Sequence, residues 1–392
     1  MRLAKRAMRV TPSATIGLTR KAAALKAQGV DLVAFTAGEP DFDTPDCIKE
    51  AAIEAIRAGD TKYVAKGEKA LAEAIREATL AERGVEYDPS QVLVSCGAKH
   101  SVANACLALL DSGDEAVIPS PYWLSYPEMV RLADAVPVAV DTSPEDGFVP
   151  DPDAIRAALT DRTRLIILNS PSNPTGAVFP PAVVREIGRI AVEHDLWVIA
   201  DEIYDKLVFS GSTFSSVLEA GPELVDRTIL INGASKTWAM TGWRIGWALG
   251  PKAAISAMSA MQSHLTSNPT SFCQTATVEG FRSARESVAM MKAAFQTRRD
   301  LMLEALAPLC HARTPVPGGA FYVFPDVAPY IEQLGLEGSI TFSEWLLEQA
   351  RVVVVPGEPF GNDRCIRLSF ATSEAAIEQG VCRLVSALCE RA

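Results

Sequence analysis

A handful of reactive side chains follow short apolar runs in this chain, the place where a parallel sheet presents groups to a ligand. Lys236 closes Gly233-Ala234-Ser235-Lys236 after the run 228–232, where its amine can attack an electrophile or move a proton. Asp201 and Tyr204 stand in Asp201-Glu202-Ile203-Tyr204 after the run 196–200, putting a carboxylate and a phenol at another strand end. Asn173 lies within Asn169-Ser170-Pro171-Ser172-Asn173-Pro174-Thr175-Gly176, where two prolines stiffen the backbone and present the amide. After 92–94 comes Ser95-Cys96-Gly97-Ala98-Lys99-His100-Ser101, small residues opening a helix, which suits an anion held by backbone N–H groups. Taken singly, a strand-end Asp is ordinarily a helix cap and a strand-end Lys a solvated charge. Taken together, they narrow the chemistry.

Positioning these groups requires an α/β frame. Apolar runs at 91–95, 115–119, 136–140, 165–169, 196–200, 228–232 and 246–249 alternate with helical patterns between about residues 48 and 285, the signature of a mostly parallel, seven-stranded sheet flanked by helices. A charged helical stretch at 290–309 then leads to apolar runs at 320–324, 352–355 and 366–370, which read as a smaller α+β unit. The turn-rich segment 36–45 follows an N-terminal helical stretch and is expected to lie with that unit. The expected division is 1–47 as N-terminal arm and part of the small domain, 48–285 as large domain, and 286–392 as the C-terminal small domain.

Composition removes several function classes. The 392 residues are 48% hydrophobic and 22% charged, ordinary for a globular enzyme. Lys plus Arg is 37 against 48 for Asp plus Glu, a net charge of -11, so no global positive field exists to gather nucleic acid or anionic membrane. The longest apolar runs are strand-sized, far short of the roughly 20 residues of a membrane span. Arg2, Lys5, Arg6 and Arg9 make the first segment basic, but no apolar h-region marks it for secretion, and the cytoplasm is expected. The eight cysteines are scattered without a CxxC pair and read as reduced thiols, and the four histidines show no HExxH spacing, so no metal is expected.

The reactive set answers the needs of pyridoxal phosphate (PLP): a lysine for its aldehyde, a carboxylate to keep its ring nitrogen protonated, and N–H groups with an arginine, here Arg244, for its phosphate. Ser235-Lys236-Thr237 followed by Met240-Thr241-Gly242-Trp243-Arg244-Ile245-Gly246, with Asn173-Pro174-Thr175-Gly176 and Asp201-Glu202-Ile203-Tyr204 upstream, resembles the fold-type I, class I/II aminotransferases over nearly the whole chain. The resemblance implies a PLP-binding large domain with Lys236 as Schiff-base and proton-transfer lysine and Asp201 on the pyridine nitrogen. It puts Asn173 and Tyr204 on the ring hydroxyl, and Ser235, Arg244 and the turn Gly97, Ala98, Lys99 around the phosphate. Trp123 resembles the family's ring-stacking aromatic. Tyr63 resembles the tyrosine that reaches the neighbouring subunit's cofactor in a homodimer with shared active sites. Arg367 resembles the arginine that grips the substrate α-carboxylate, a bidentate task lysine performs poorly, and Gly38 the loop glycine whose backbone approaches the substrate. Asn173 and Trp123 border the substrate as well.

Within the family, Pro12-Ser13-Ala14-Thr15 together with Lys99 is similar to the bacterial aspartate/prephenate aminotransferase subgroup, in which Ser13, Thr15 and Lys99 would contact the distal carboxylate. The resemblance implies small-molecule partners, amino acids and 2-oxo acids, with aspartate or glutamate as donor in a ping-pong exchange. Prephenate, aromatic or other donors stay open, as does β-elimination on the same scaffold. A non-catalytic regulatory role is disfavoured, because no DNA-binding head is seen. The loop 62–68, near the mouth of the site, and the segment 266–270, which the resemblance puts near the partner subunit's cofactor, depart from the subgroup's usual pattern, and Lys66 and Lys69 read as solvated charges.

Overall fold

The computed structural model describes residues 3–9, 15–64 and 69–389. In chain order the strands are β1 (Val33–Ala34), β2 (Val92–Cys96), β3 (Glu115–Ser120), β4 (Val136–Asp141), β5 (Thr163–Asn169), β6 (Trp197–Asp201), β7 (Thr228–Gly233), β8 (Ile245–Leu249), β9 (Tyr322–Val323), β10 (Val352–Val353), β11 (Val355–Pro356) and β12 (Ile366–Ser369). Among the described residues the large sheet has the order β2-β8-β7-β6-β5-β3-β4. It is parallel except at β8, which runs antiparallel to both β2 and β7.

Inward of the edge strand β4, whose Val136 is exposed, the apolar runs are continuous rather than alternating because helices cover both faces of the sheet. In β5, Leu165 and Ile167 enter one apolar cluster and Ile166 and Leu168 another, and all four are at most 3% exposed. Successive side chains of β6 and β7 divide the same way, Ile199, Ile229 and Ile231 to one face and Val198, Ala200 and Leu230 to the other. Each buried valine, leucine or isoleucine among them contributes roughly 1.5–3 kcal/mol. The sheet that carries the reactive residues is therefore clamped from both sides.

A third cluster joins Val33 and Phe35 to Tyr322, Val352, Ile366, Phe370 and Leu384. β1 pairs in parallel with β10, and β11-β12-β9 form an antiparallel sheet beside them. The run 352–355 is not the single strand its composition suggests. Val352–Val353 belongs with Val33–Ala34, whereas Val355–Pro356 turns to β12. All four valines are buried, so the run has no polar alternation to tie it to one face or partner. The long helix also begins at Arg285 rather than near residue 290, and it ends at Leu306, shortly before Pro308. Strand β6 extends through Asp201 and β7 through Gly233, so both end on residues that read as the start of a loop. Among the described residues no helix is long and apolar enough to cross a membrane, and no His, Cys, Asp and Glu cluster could hold a metal ion.

Candidate active site

A cavity of about 660 Å³ opens where β2, β5, β6 and β7 end, roofed by Thr36, Gly38, Tyr322, Phe360 and Arg367. Its floor begins with a backbone cradle. Gly97 has φ of 83° and precedes the helix Ala98–Leu109, and Arg244 adopts a left-handed conformation with φ of 59°. That conformation turns the Arg244 guanidinium back to the carbonyls of Thr241 (2.7 Å) and Cys96 (3.3 Å). A Cβ on Gly97 would stand 2.3 Å from Arg244 Nη2, and one on Gly246 would stand 2.1 Å from the Ala98 nitrogen. These glycines let a helix N-terminus, a strand and a guanidinium converge, with Ser235 beside them in the cavity wall, an arrangement that suits a phosphate.

Asp201 sits at the end of β6, 4% exposed. Burial pushes its carboxyl up to about 6, against the opposing effect of the Tyr126 hydroxyl and the Ile203 N–H. Tyr126 Oη donates to Asp201 Oδ2 at 2.7 Å and the Ile203 N–H donates to Oδ1 at 3.2 Å. Asn169 Nδ2 holds the Asp201 carbonyl at 2.9 Å, while its Oδ1 accepts from the Asn173 N–H at 2.9 Å. One amide thus ties the Asn173 turn to the Asp201 strand. Lys236 is carried by the short helix Ala234–Thr237 directly after β7. Burial pushes its amine down to about 8, with Glu39 acting against this and Arg367 and Arg244 with it. Its Nζ donates to the Gly38 carbonyl. Tyr204 Oη lies 3.0 Å from Tyr322 Oη, and burial holds the Tyr204 phenol well above its ordinary range.

Arg367 is 7% exposed. Its Nη1 donates to Asn173 Oδ1 (3.0 Å) and its Nη2 to the Thr36 carbonyl (3.2 Å), while the guanidinium lies over the rings of Tyr322 (4.5 Å) and Phe360 (5.2 Å). Among the described residues no acidic side chain pairs with it, and its Nε has no hydrogen-bond partner. A buried cation without an anion is costly, and here it faces a cavity. Lys99 Nζ stands 4.8 Å over the Trp123 ring, its amine lowered by burial and by Arg244. A lysine, a buried carboxylate, an anion cradle and an unpaired guanidinium around one cavity fit PLP and an amino acid.

Residues 30–384 match the family described as aminotransferase class I and II. The chain belongs to this family. The aminotransferase is 43% identical over 385 residues to the aspartate aminotransferase of Geobacillus stearothermophilus, covering 98% of each chain. It is 45% identical over 390 residues to the aspartate/prephenate aminotransferase of Thermus thermophilus, again over 98% of each. The solved structure of the Thermus thermophilus aspartate aminotransferase with maleate superimposes with a TM-score of 0.93 at 45% identity, covering 99% of this chain and 100% of that one. The Rhizobium meliloti aspartate aminotransferase gives 0.94 at 38% identity, covering 100% and 99%. Family membership makes this an aminotransferase of fold type I, whose cofactor is PLP.

Most of the residues singled out from the sequence of this aminotransferase meet at the cavity. Gly38, Ala98, Lys99, Trp123, Asn173, Asp201, Tyr204, Ser235, Lys236, Arg244 and Arg367 line it, and Gly97 shapes its cradle. Tyr63 lies away from it, 97% exposed. Ser13 and the side chain of Thr15 fall outside the described residues, as does Lys66. The structure adds Tyr126, Asn169, Tyr322, Phe360, Glu39 and Thr241 to the lining. Tyr126 had a faint signal in the sequence, since it follows Trp123 by three residues at the start of a helix. Tyr322 had none, because Phe321-Tyr322-Val323-Phe324 reads as plain core.

Proposed function

We propose that the enzyme moves an amino group between aspartate or glutamate and 2-oxo acids, with each half of the exchange run at the same cavity. What carries this reading is the pair of cations at two places in one cavity, Arg367 buried without a carboxylate and Lys99 over Trp123. A dicarboxylate can satisfy both, its α-carboxylate on Arg367 as a bidentate partner and its distal carboxylate toward Lys99. The names of the Geobacillus and Thermus relatives support the same substrates.

Bound in the cradle, PLP supplies an electrophilic carbon for the amino group and a ring that accepts electron density while a proton moves. The backbone of Gly97, Ala98 and Lys99, with Ser235 and Arg244, would hold its phosphate, Asp201 its ring nitrogen, Asn173 and Tyr204 its hydroxyl, and Trp123 its face. Lys236, with an amine pushed down to about 8, is neutral often enough near physiological pH to take the substrate α-proton at Nζ and return it. Tyr322, Phe360 and the 354–356 segment cover the cavity and limit water. We take residues 48–285 as the cofactor-binding domain and 1–47 with 286–392 as the small domain, a division supported by the pairing of β1 with β10 and by the long helix that starts at Arg285. We also place the enzyme in the cytoplasm as a homodimer, with Tyr63 serving the partner's site. The eight unpaired cysteines support that compartment.

The test is a stopped-flow spectral half-reaction of the PLP-loaded protein with aspartate, glutamate, phenylalanine or alanine, each without a 2-oxo acid. Rapid conversion with the two dicarboxylates and slow conversion with the others is the expected result. Preference for phenylalanine or alanine would overturn the substrate assignment. Lys99→Ala should weaken aspartate and glutamate about tenfold or more and alanine little, since a charge-assisted contact is lost only with the former. Equal losses would remove Lys99 from the distal-carboxylate role.

A further inference from the structure

Asp201 has a second neighbour whose contribution goes beyond packing. In the order β6-β5-β3, the helix Ser125–Leu132 follows β3, so a side chain from its first turn must pass β5 to reach the end of β6. Tyr126 does so: its hydroxyl donates to Asp201 Oδ2 at 2.7 Å, and its ring lies in the apolar cluster with Ile118, Ile167 and Ile199. Phenylalanine would span the same gap without donating, and serine or threonine would fall short. The ring edge also meets Trp123 at 5.2 Å and 85°. One side chain therefore touches both the carboxylate and the aromatic assigned to the cofactor ring.

We infer that Tyr126 is a positioning residue, which keeps the Asp201 carboxylate charged and oriented toward the cofactor ring while bracing Trp123 edge-on. The inference rests on the assignment of Asp201 to the ring nitrogen. The carboxylate has few other means of holding its charge. Burial favours its neutral form, and the opposing groups that face it are the Tyr126 hydroxyl, the Ile203 N–H and the charge of Lys236. The Tyr204 phenol also lies near, but its own acidity is strongly suppressed. The Tyr126 phenol is itself held well above its ordinary range by burial and by Asp201, so it remains a proton donor wherever the carboxylate is ionised. The hydrogen bond stabilises the anion without competing for its proton.

The experiment compares Tyr126→Phe and Asp201→Asn with the wild type, each reconstituted with PLP. The readouts are the PLP dissociation constant by equilibrium dialysis, the absorbance of bound PLP across pH, and the rate and saturation constant of the aspartate half-reaction. Tyr126→Phe keeps the ring against Trp123 and removes the donor alone. It should loosen PLP by about tenfold, slow the half-reaction with little change in aspartate saturation, and displace the absorbance titration in the direction of Asp201→Asn by a smaller amount. Wild-type PLP affinity and titration in Tyr126→Phe, with both altered in Asp201→Asn, would overturn the role of Tyr126 and leave that of Asp201 intact. If Asp201→Asn also matched the wild type, the ring-nitrogen assignment would fail and this inference with it.

Discussion

At the scale of single residues, the decisive property of Lys236 is an amine whose pKa is pushed down to about 8. On the proposed role of Lys236, bonding to the PLP aldehyde needs the neutral amine of the cofactor-free protein. Because its pKa lies below the ordinary lysine value, the neutral fraction rises through pH 8 rather than above 10. The rate at which the cofactor-free protein takes up PLP should accordingly climb with pH through about 8 and level off beyond it, since the amine titrates freely only before it is joined to the cofactor. Glu39 opposes the shift: it accepts a hydrogen bond from the Thr241 hydroxyl and its negative charge favours the ammonium form of Lys236. Glu39→Gln removes that charge and should move the ascending limb to lower pH, which a pH series of PLP uptake checks. An unmoved limb would mean that a different group governs it. Lys236, Asp201 and Asn173 were legible in the sequence because each follows an apolar run that ends at a ligand-facing edge. Tyr126 was only faintly so, and Glu39 and Tyr322 were not, since their meaning comes from partners far along the chain. Tyr126 meets Asp201 75 residues on, and Tyr322 meets Tyr204 across 118.

At the scale of elements, the turn bearing Asp201 and Tyr204 is gripped from behind by a helix. Arg83, the last residue of the helix Lys69–Arg83, places Nη2 3.0 Å from Glu202 Oε2 and 2.6 Å from Asp205 Oδ2, and these three side chains are 7%, 4% and 2% exposed. The Ser216 hydroxyl donates to the other Glu202 oxygen at 2.6 Å. Deleting the cation strands the buried Glu202 carboxylate and leaves Asp205 with Lys206, 3.2 Å away, as its remaining cation, so Arg83→Met should lower the unfolding free energy in urea by about 3–5 kcal/mol. Burial already pushes Glu202 up to about 7, above its value in an unfolded chain. A raised carboxyl pKa penalises the folded state increasingly as pH rises through that value, and protonation relieves it below. The deficit of Arg83→Met should therefore be greatest above pH 7 and shrink toward pH 5. A pH-independent deficit would point to lost packing of the arginine instead. The strands of the large sheet were readable because burial on both faces leaves an unbroken apolar run, but the same uniformity hid the division of 352–355 between two sheets. The antiparallel sense of β8 was equally invisible: Gly233 and Gly246 are paired neighbours in β7 and β8, and composition carries no record of strand direction.

At the scale of the whole molecule, Tyr63 is the residue that one chain leaves unexplained. It is 97% exposed, and Asn268 Nδ2 donates to the Val64 carbonyl, which brings Tyr63 beside the segment following the helix Lys252–Leu265. That helix exposes Met261 (37%) and Leu265 (61%), one turn apart. Scattered apolar residues on a surface are ordinary, but a tyrosine and two large aliphatic side chains in one region favour a surface covered by another chain. If two copies pair through a twofold axis, Tyr63 of each can serve the site of the other, and the proposal becomes testable by complementation. Lys236→Ala lacks its amine and Tyr63→Ala lacks the crossing phenol. Mixed, they form hybrids in which one site has Lys236 from one chain and Tyr63 from the other, while the second site lacks both. Random reassortment would make about one quarter of all sites intact, so unfolding and refolding the variants together should restore aspartate turnover well above the sum of the separate preparations. No gain on mixing, with hybrids verified by differential tagging, would confine Tyr63 to its own chain. A gain would require the crossing, because neither parent can supply what the other lacks without placing both residues at one site.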